Sequence, residues 1–379
     1  MGAASVYQLA KRGVKVKGVD QFTPPHTHGS SHGESRITRA AIGEGLQFVP
    51  LAMRSHQLWR EIEHESGETL FNQCGGLILA RAGQESWMHD QRDFLGNTFL
   101  AANAFGIAHE RLSTDDIAAR FPQFVLQGDE YAYFEPGAGY LAPEACVHAQ
   151  LQLAAQYRAD LSYGEKVISV ASAGKQTIVE TDRARYAPGT TIVTAGPWVP
   201  TLLPTLAAKL TIRRQVLYWF ERDLGNKPTL SYRADNFPIF IWHWGAGEDD
   251  VFYGFPQIDD ANDIKIASEQ RAFSTTPEAV DRIVSPTEIT EMYENHIAGK
   301  LRGISARCVK ATTCLYTNAP SANFIIDRLP DQPDTIIVSA CSGHGFKHSA
   351  AIGEAVATMA ISGETPEVLK PFALNETPA

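Results

Sequence analysis

Three groups of residues in this chain have types and spacings able to do chemistry. The first lies near its head. Residues from Gly2 to Arg12 read as a helix that stops at Gly13, and Val14, Val16 and Val19 then read as a short strand ending in Asp20. A helix opening on a glycine turns free backbone N–H groups toward an anion. An acidic residue about 20 positions further on, closing the next strand, suits the hydroxyls of an adenosine ribose. Gly2 stands where the last glycine of a G-x-G-x-x-G turn would stand. The second group is Ser342-Gly343-His344-Gly345, between a β-rich run from Thr335 to Ala340 and a helix expected from Lys347 to Ile361. Strand, glycine loop and helix in that order again aim N–H groups at an anion or an electron-rich ring edge. The third is the trio His26, His28 and His32. His-x-His can be a piece of a metal site, but no carboxylate or further histidine nearby completes one, so no metal is expected.

The elements that must position these groups are legible in outline. Pro24 to Gly45 is rich in Pro, His, Ser and Gly and reads as a loop, too long to be idle in a compact domain. Residues 46–66 read as an amphipathic helix with Val49, Leu51, Leu58, Trp59 and Ile62 on its apolar face. Thr190 to Ala195 is a β-rich run ending in Gly196-Pro197-Trp198. Between 206 and 317 the pattern changes. Ile212 to Glu221, Pro238 to Trp244, Val251 to Phe255 and Ile264 to Ala267 read as strands of an antiparallel or mixed sheet. Ser285-Pro286-Thr287-Glu288 reads as a capping box with proline at the first helical position. The chain thus leaves a nucleotide-binding unit, builds a sheet, and returns.

Composition narrows the partners. A chain of 379 residues suits two domains. A net charge of −10 with no basic run argues against nucleic acid or an anionic membrane as partner. There is no signal peptide and no apolar run near roughly 18 residues, which reads as a soluble protein. The five cysteines (Cys74, Cys146, Cys308, Cys314 and Cys341) are odd in number, scattered and without C-x-x-C, so neither a disulfide framework nor a zinc site is expected and a cytoplasmic location fits.

Further motifs occur in a telling order: Pro24-Pro25-His26-Thr27 through Ser31-His32-Gly33-Glu34-Ser35-Arg36, Gly43-Glu44-Gly45, Phe252-Tyr253-Gly254-Phe255-Pro256, Cys314-Leu315-Tyr316-Thr317, Phe324-Ile325-Ile326-Asp327 and Ser342 to Lys347. On these the sequence resembles the monomeric sarcosine oxidase and N-methyltryptophan oxidase family, flavoenzymes of the D-amino-acid-oxidase-like fold, over nearly its whole length. The resemblance implies an α/β architecture: a Rossmann-like FAD-binding domain from residues 1–75, 135–205 and 318–379, and a mixed-sheet substrate domain from 76–134 and 206–317. It implies a monomer that oxidises a secondary amino acid, with O2 as acceptor and hydrogen peroxide as product. A related oxidase of pipecolate, saccharopine or a glycated amino acid, a dehydrogenase, or an inactive flavoprotein are the alternatives.

The same resemblance implies roles. Cys314 matches the cysteine that holds FAD through a thioether. Read from residue type alone, it is equally a small core residue. Lys265 matches a lysine over the flavin that promotes reaction with oxygen, and alternation with Ile264 and Ile266 puts it on the opposite strand face. Arg39 and Lys347 match the pair that binds the substrate carboxylate, for which a guanidinium fork and an ammonium suit the chemistry. His32 and Arg36 match residues against the flavin ring, where a cation favours reduced flavin. Tyr253 matches an aromatic wall of the substrate pocket. Gly196, Gly343 and Gly345 match positions of close backbone approach to FAD, while Gly2 and Asp20 keep the turn and ribose roles that their spacing suggests.

Two departures stand out. Glu269, after Ser268, falls where the family commonly has a histidine in the substrate pocket, with Trp242 and Trp244 on a strand approaching the same pocket. A carboxylate there disfavours an acidic substrate side chain. In addition, the strand and first two glycines of the pyrophosphate turn do not precede Gly2, as if the frame opened late at an internal Met. Protein made from Met1 is therefore expected to be insoluble or flavin-free, and a soluble yellow preparation would overturn that expectation.

Overall fold

The computed structural model describes residues 1–173, 176–223, 225 and 230–374. The domain expectation also runs over 174–175, 224, 226–229 and 375–379, which lie outside the described residues. The chain opens with helix Gly2–Lys11, which has no side-chain cap at Met1 and is closed by Gly13 at φ 76°. Strand Lys17–Asp20 follows and pairs in parallel with Asp160–Tyr163. Further along the chain, Thr191–Val193 pairs in parallel with Gln332–Ser339, which also pairs antiparallel with Ile325–Leu329. These are two separate ladders, and no main-chain hydrogen bond joins them among the described residues. Helices Gly2–Lys11, Pro143–Gln156 and Ser349–Ser362 pack together beside them.

The run from 46 to 66 is helical as expected, with a 3-10 turn at Leu46–Phe48 leading into Val49–Ser66. Val49, Leu51, Leu58, Trp59 and Ile62 are all buried. Burying each such side chain is worth about 1.5–3 kcal/mol, so this face fixes the helix against the rest of its core.

The middle of the chain builds an eight-stranded mixed sheet. Its order is Ile304–Asn318, Thr211–Arg222, Asp263–Ala267, Val251–Gly254, Ile239–His243, Gly76–Arg81, Glu130–Glu135 and Glu110–Leu112. Only the contact between Ile239–His243 and Gly76–Arg81 is parallel. Strand alternation gives this sheet two different faces. Val216, Tyr218, Phe220, Phe240, Trp242, Phe252, Ile264 and Ile266 form an apolar core on one face. Leu217, Trp219, Tyr253, Lys265, Ala267 and Cys314 lie on the other. The expected position of Lys265 opposite its two isoleucines is therefore present. The strand carrying Trp242 and Trp244 reaches the cavity through Ile241, while both tryptophan side chains lie on its other face. Trp242 is buried against Phe124 and Phe252 on the far face, because its strand neighbours Ile241 and His243 take the near one. Trp244 packs against Lys300 and His296.

Among the described residues, no helix is long and apolar enough to cross a membrane.

Helix Ser349–Ser362 meets helix Gly2–Lys11 at Gly353, where an added Cβ would stand 2.5 Å from the Ala4 Cβ and 2.6 Å from its carbonyl carbon. A backbone contact cannot swing away, so Gly353→Val must force the two helices apart. We expect it to cost roughly 2–3 kcal/mol in urea unfolding; an unchanged midpoint would show that the helices separate freely.

Candidate active site

A cavity of about 1500 Å³ lies between the two parallel ladders and the near face of the large sheet. Lys17 to Phe22 form one wall, Thr190 to Trp198 another, and Ser339 to Ala340 with Gly343 to Lys347 a third. At its sheet end it reaches Arg36, Arg39, Glu44, His89, Tyr253, Phe255, Lys265, Cys314 and Tyr316. Residues separated by hundreds of positions are thereby brought to one space.

The nucleotide-side residues line this cavity. Gly2 opens its helix so close to Thr194 that a Cβ would stand 2.7 Å from the threonine hydroxyl. Asp20 ends its strand at the cavity wall and accepts a hydrogen bond from the Phe22 N–H at 2.8 Å. Gly196 and Gly343 adopt φ of 53° and 77°, in the left-handed region that favours glycine. At Gly345 a Cβ would collide with the Ala340 carbonyl oxygen. A 3-10 turn, Gly345–His348, then feeds helix Ser349–Ser362, whose N-terminal end looks into the cavity. His26 and His28 gather around Phe22, whereas His32 is buried elsewhere beside Arg36 and Lys265.

The long loop is pinned rather than loose. Gly33 and Glu34 donate their N–H groups to Glu144 in the first turn of helix Pro143–Gln156, at 2.5 and 3.2 Å. Arg36 donates to the carbonyls of Ser30 and Ser35 at 2.7 and 2.8 Å. Lys265 donates from the sheet to the carbonyls of Gly33 and Ser35 at 2.7 and 2.6 Å, with its ammonium 4.1 Å from the Phe255 ring centre. Burial, then the Arg36 guanidinium, holds the Lys265 amine well below the ordinary lysine range. His32 is pushed down to about 3 by burial, then by Arg36 and Lys265. Of the two residues read as lying against the flavin ring, His32 is thus neutral by burial.

Cys314 is buried among Leu217, Trp219, Ala267, Tyr253 and Tyr316, yet lines the cavity. Burial raises its thiol, while Arg36 and Lys265 act in the opposite direction. Tyr253, beside it, is pushed up to about 12 by burial and by Cys314, and it hydrogen-bonds to Tyr316.

The same sheet end of the cavity also holds a buried ionic cluster. Glu135 accepts from the N–H groups of Ala40 and Ala41 at 2.6 and 3.1 Å and thereby fixes the backbone beside Arg39. Arg39 donates to Glu44 at 2.7 Å and to the Ala41 carbonyl, and its guanidinium lies 5.0 Å from the Phe94 ring centre. The Lys347 Nζ lies 3.9 Å from Glu44 and donates to the His344 carbonyl at 2.9 Å. Arg39 and Glu44 side chains are 2% and 1% exposed, so almost no solvent screens them. Burial alone would raise the Glu44 carboxyl, but Arg39, Lys347, His344 and a hydrogen bond with His89 together hold it well below the usual range. Burial pushes the Lys347 amine down to about 8, with Glu44 holding it up and Arg39 opposing.

Sequence reasoning assigned no role to Glu44, although it quoted Gly43-Glu44-Gly45, and it missed His89 and Glu135. Glu44 carried a weak signal, a carboxylate inside a glycine-flanked loop motif. His89 and Glu135 carried none, because their roles arise only from tertiary contact. Glu269 does not line the cavity. It accepts from Arg271 and from the His89 N–H, at 3.0 and 3.2 Å.

Glycine turns and the Asp20 carboxylate along a long cleft suit a nucleotide cofactor, and comparison with known proteins gives the class. The model of the DAO family, described as FAD dependent oxidoreductase, matches residues 1–359. Monomeric sarcosine oxidase of Streptomyces avermitilis is 36% identical over 96% of this chain and 92% of its own. N-methyl-L-tryptophan oxidase of Yersinia pestis is 31% identical over 99% of this chain and 96% of its own. Among solved structures, a Tyr258Phe mutant of NikD, an amino acid oxidase of nikkomycin biosynthesis, superposes with a TM-score of 0.82 at 19% identity, covering 98% of this chain and 93% of that one. The chain belongs to the FAD-dependent oxidoreductases, in the branch that includes these sarcosine and N-methyltryptophan oxidases.

The cluster predicts a pH dependence. Below pH 8, Arg39 and Lys347 carry two positive charges against one negative on Glu44; above it, Lys347 loses its proton and the sum falls to zero. A bound carboxylate favours the charged amine, so binding takes up a proton there. Affinity for acetate, followed by calorimetry, should be flat below pH 8 and fall by up to about tenfold per pH unit above it. A flat profile to pH 10 would remove Lys347 from the anchor.

Proposed function

We propose that this enzyme oxidises the C–N bond of a secondary, N-methyl amino acid such as sarcosine or N-methyltryptophan. The observation that carries this reading is the ionic cluster. Two buried cations face one internal carboxylate, and the surplus positive charge opens onto the same cavity as Cys314, Arg36 and Lys265. That arrangement suits a monoanionic substrate. The Nε of Arg39 is buried without a hydrogen-bond partner, a donor left for such a ligand.

The residues present also fit FAD. Asp20 would take the ribose, Gly2, Gly196 and Gly343 to Gly345 would let backbone approach, and the buried, unpartnered Ser35 Oγ and Thr317 Oγ1 offer polar contacts at the cavity end near Cys314. Bound there, FAD would supply the two-electron acceptor that O2 then restores. Cys314 would hold it covalently.

The chain's own groups then do the following. Arg39 and Lys347 take the carboxylate and orient the reacting carbon. Tyr253, Phe255 and Tyr316 exclude water, which favours the neutral amine whose lone pair is needed. Lys265, whose charge is disfavoured at rest, regains it most easily when negative charge develops alongside, which is the demand of oxygen reduction. Overall, N-methyl amino acid, O2 and water give the primary amino acid, formaldehyde and hydrogen peroxide. The same proposal includes a monomer, a cytoplasmic location, and the division into an FAD-binding domain (1–75, 135–205, 318–379) and a substrate domain.

A peroxide assay across sarcosine, N-methyltryptophan, pipecolate, saccharopine and a glycated amino acid tests the substrate class; peroxide from none of the N-methyl compounds would overturn it. Lys265→Met should leave anaerobic bleaching by substrate intact but slow reoxidation by O2 about 10²–10³-fold. Acid-denatured protein should stay yellow, and Cys314→Ala should release its pigment.

A further inference from the structure

Outside the roles described so far, one buried group touches the carboxylate anchor directly. His89 sits at the tip of a tight turn whose ends, Met88 and Gln91, bond to each other in both directions at 3.1 and 2.9 Å. Both tip residues have positive φ, 49° at His89 and 60° at Asp90, so the turn has one well-defined shape. Although it belongs to an irregular segment, His89 is 6% exposed and lines the cavity.

Three contacts bring it there. Its Nδ1 lies 3.1 Å from the Glu44 Oε1, while the other oxygen of Glu44 binds Arg39. Its N–H donates to Glu269 at 3.2 Å, and Glu269 is in turn held by Arg271, itself paired with Glu248 at 3.0 Å. Its ring faces Gly343, where a Cβ would stand 2.6 Å from Nε2, so a glycine is needed to admit the imidazole.

From this geometry we infer that His89 is a positioning residue of the anchor: docked by Glu269, it draws Glu44 toward itself and keeps Lys347 available to the substrate carboxylate. The oxygen that His89 holds is the one 3.9 Å from Lys347, beyond hydrogen-bond reach. Without the imidazole that oxygen is free to close on the ammonium, and an incoming carboxylate must first break the new pair. The role rests on the reading of Arg39 and Lys347 as a carboxylate anchor. It also gives Glu269 a function through His89 rather than through direct contact with substrate.

The test is calorimetric titration of the full-length protein with acetate at pH 7. Arg39→Gln should abolish binding. His89→Ala should weaken it about tenfold, the worth of one charge-assisted hydrogen bond. His89→Asn, whose amide nitrogen can stand where Nδ1 stood, should restore it to within about threefold. Glu269→Gln should weaken it less, and adding it to His89→Ala should change nothing further, because both act through one imidazole. With N-methyl substrate, His89→Ala should raise KM and leave kcat nearly unchanged. Unchanged acetate affinity in His89→Ala, or failure of His89→Asn to recover it at equal thermal midpoint, overturns the role of His89 alone. Wild type and Arg39→Gln titrating identically overturns the anchor and, with it, this inference.

Discussion

The structure depends on a charge imbalance kept dry. Arg39 and Lys347 come from opposite ends of the chain and meet one carboxylate, Glu44, in almost complete isolation from water. Burying unpaired charge is costly, and breaking such a group by removing one partner costs about 3–5 kcal/mol. The fold must therefore hold every member at once. Glu135 fixes the loop beside Arg39, and the glycine turn before helix Ser349–Ser362 fixes Lys347. Glu44 makes the pair of cations tolerable in the absence of ligand and leaves a surplus for one monoanion.

The large sheet makes this site possible by having two unlike faces. One is apolar throughout and seals the far core. The other presents Lys265, Tyr253 and Cys314 from three different strands. Because side chains alternate, a strand that buries Phe240 and Trp242 on one side must present Ile241 on the other. The histidine-rich loop is then laid over that face and tied to it by the two carbonyls that accept from Lys265. The lysine is thus a structural rivet as well as a candidate participant in oxygen reduction.

Much of the fold was legible in the sequence, for physical reasons. Helix 46–66 announced itself by its apolar spacing, and each residue named for that face is buried. The alternation around Lys265 fixed its face without knowledge of any neighbour. Strand alternation equally contains the placement of Trp242: a strand that reaches the cavity through Ile241 turns Trp242 away from it. What stayed hidden was of another kind. His89 lies in a segment with no periodic pattern, and its partners Glu44, Glu269 and Gly343 are far away in sequence. His32 is neutral chiefly because it is buried, with Arg36 and Lys265 acting in the same direction, and only the folded chain supplies these. Residue type indicates which groups can carry charge; burial decides which of them do.

The two parallel ladders are held in register by packed helices instead of by a shared row of amide bonds. Sheets joined strand to strand move as one plate, whereas ladders coupled only through side chains can tilt against each other at little enthalpic expense. Among the described residues, the spacing of the two ladders therefore rests on helix packing, with Gly353 admitting Ala4 at the crossing.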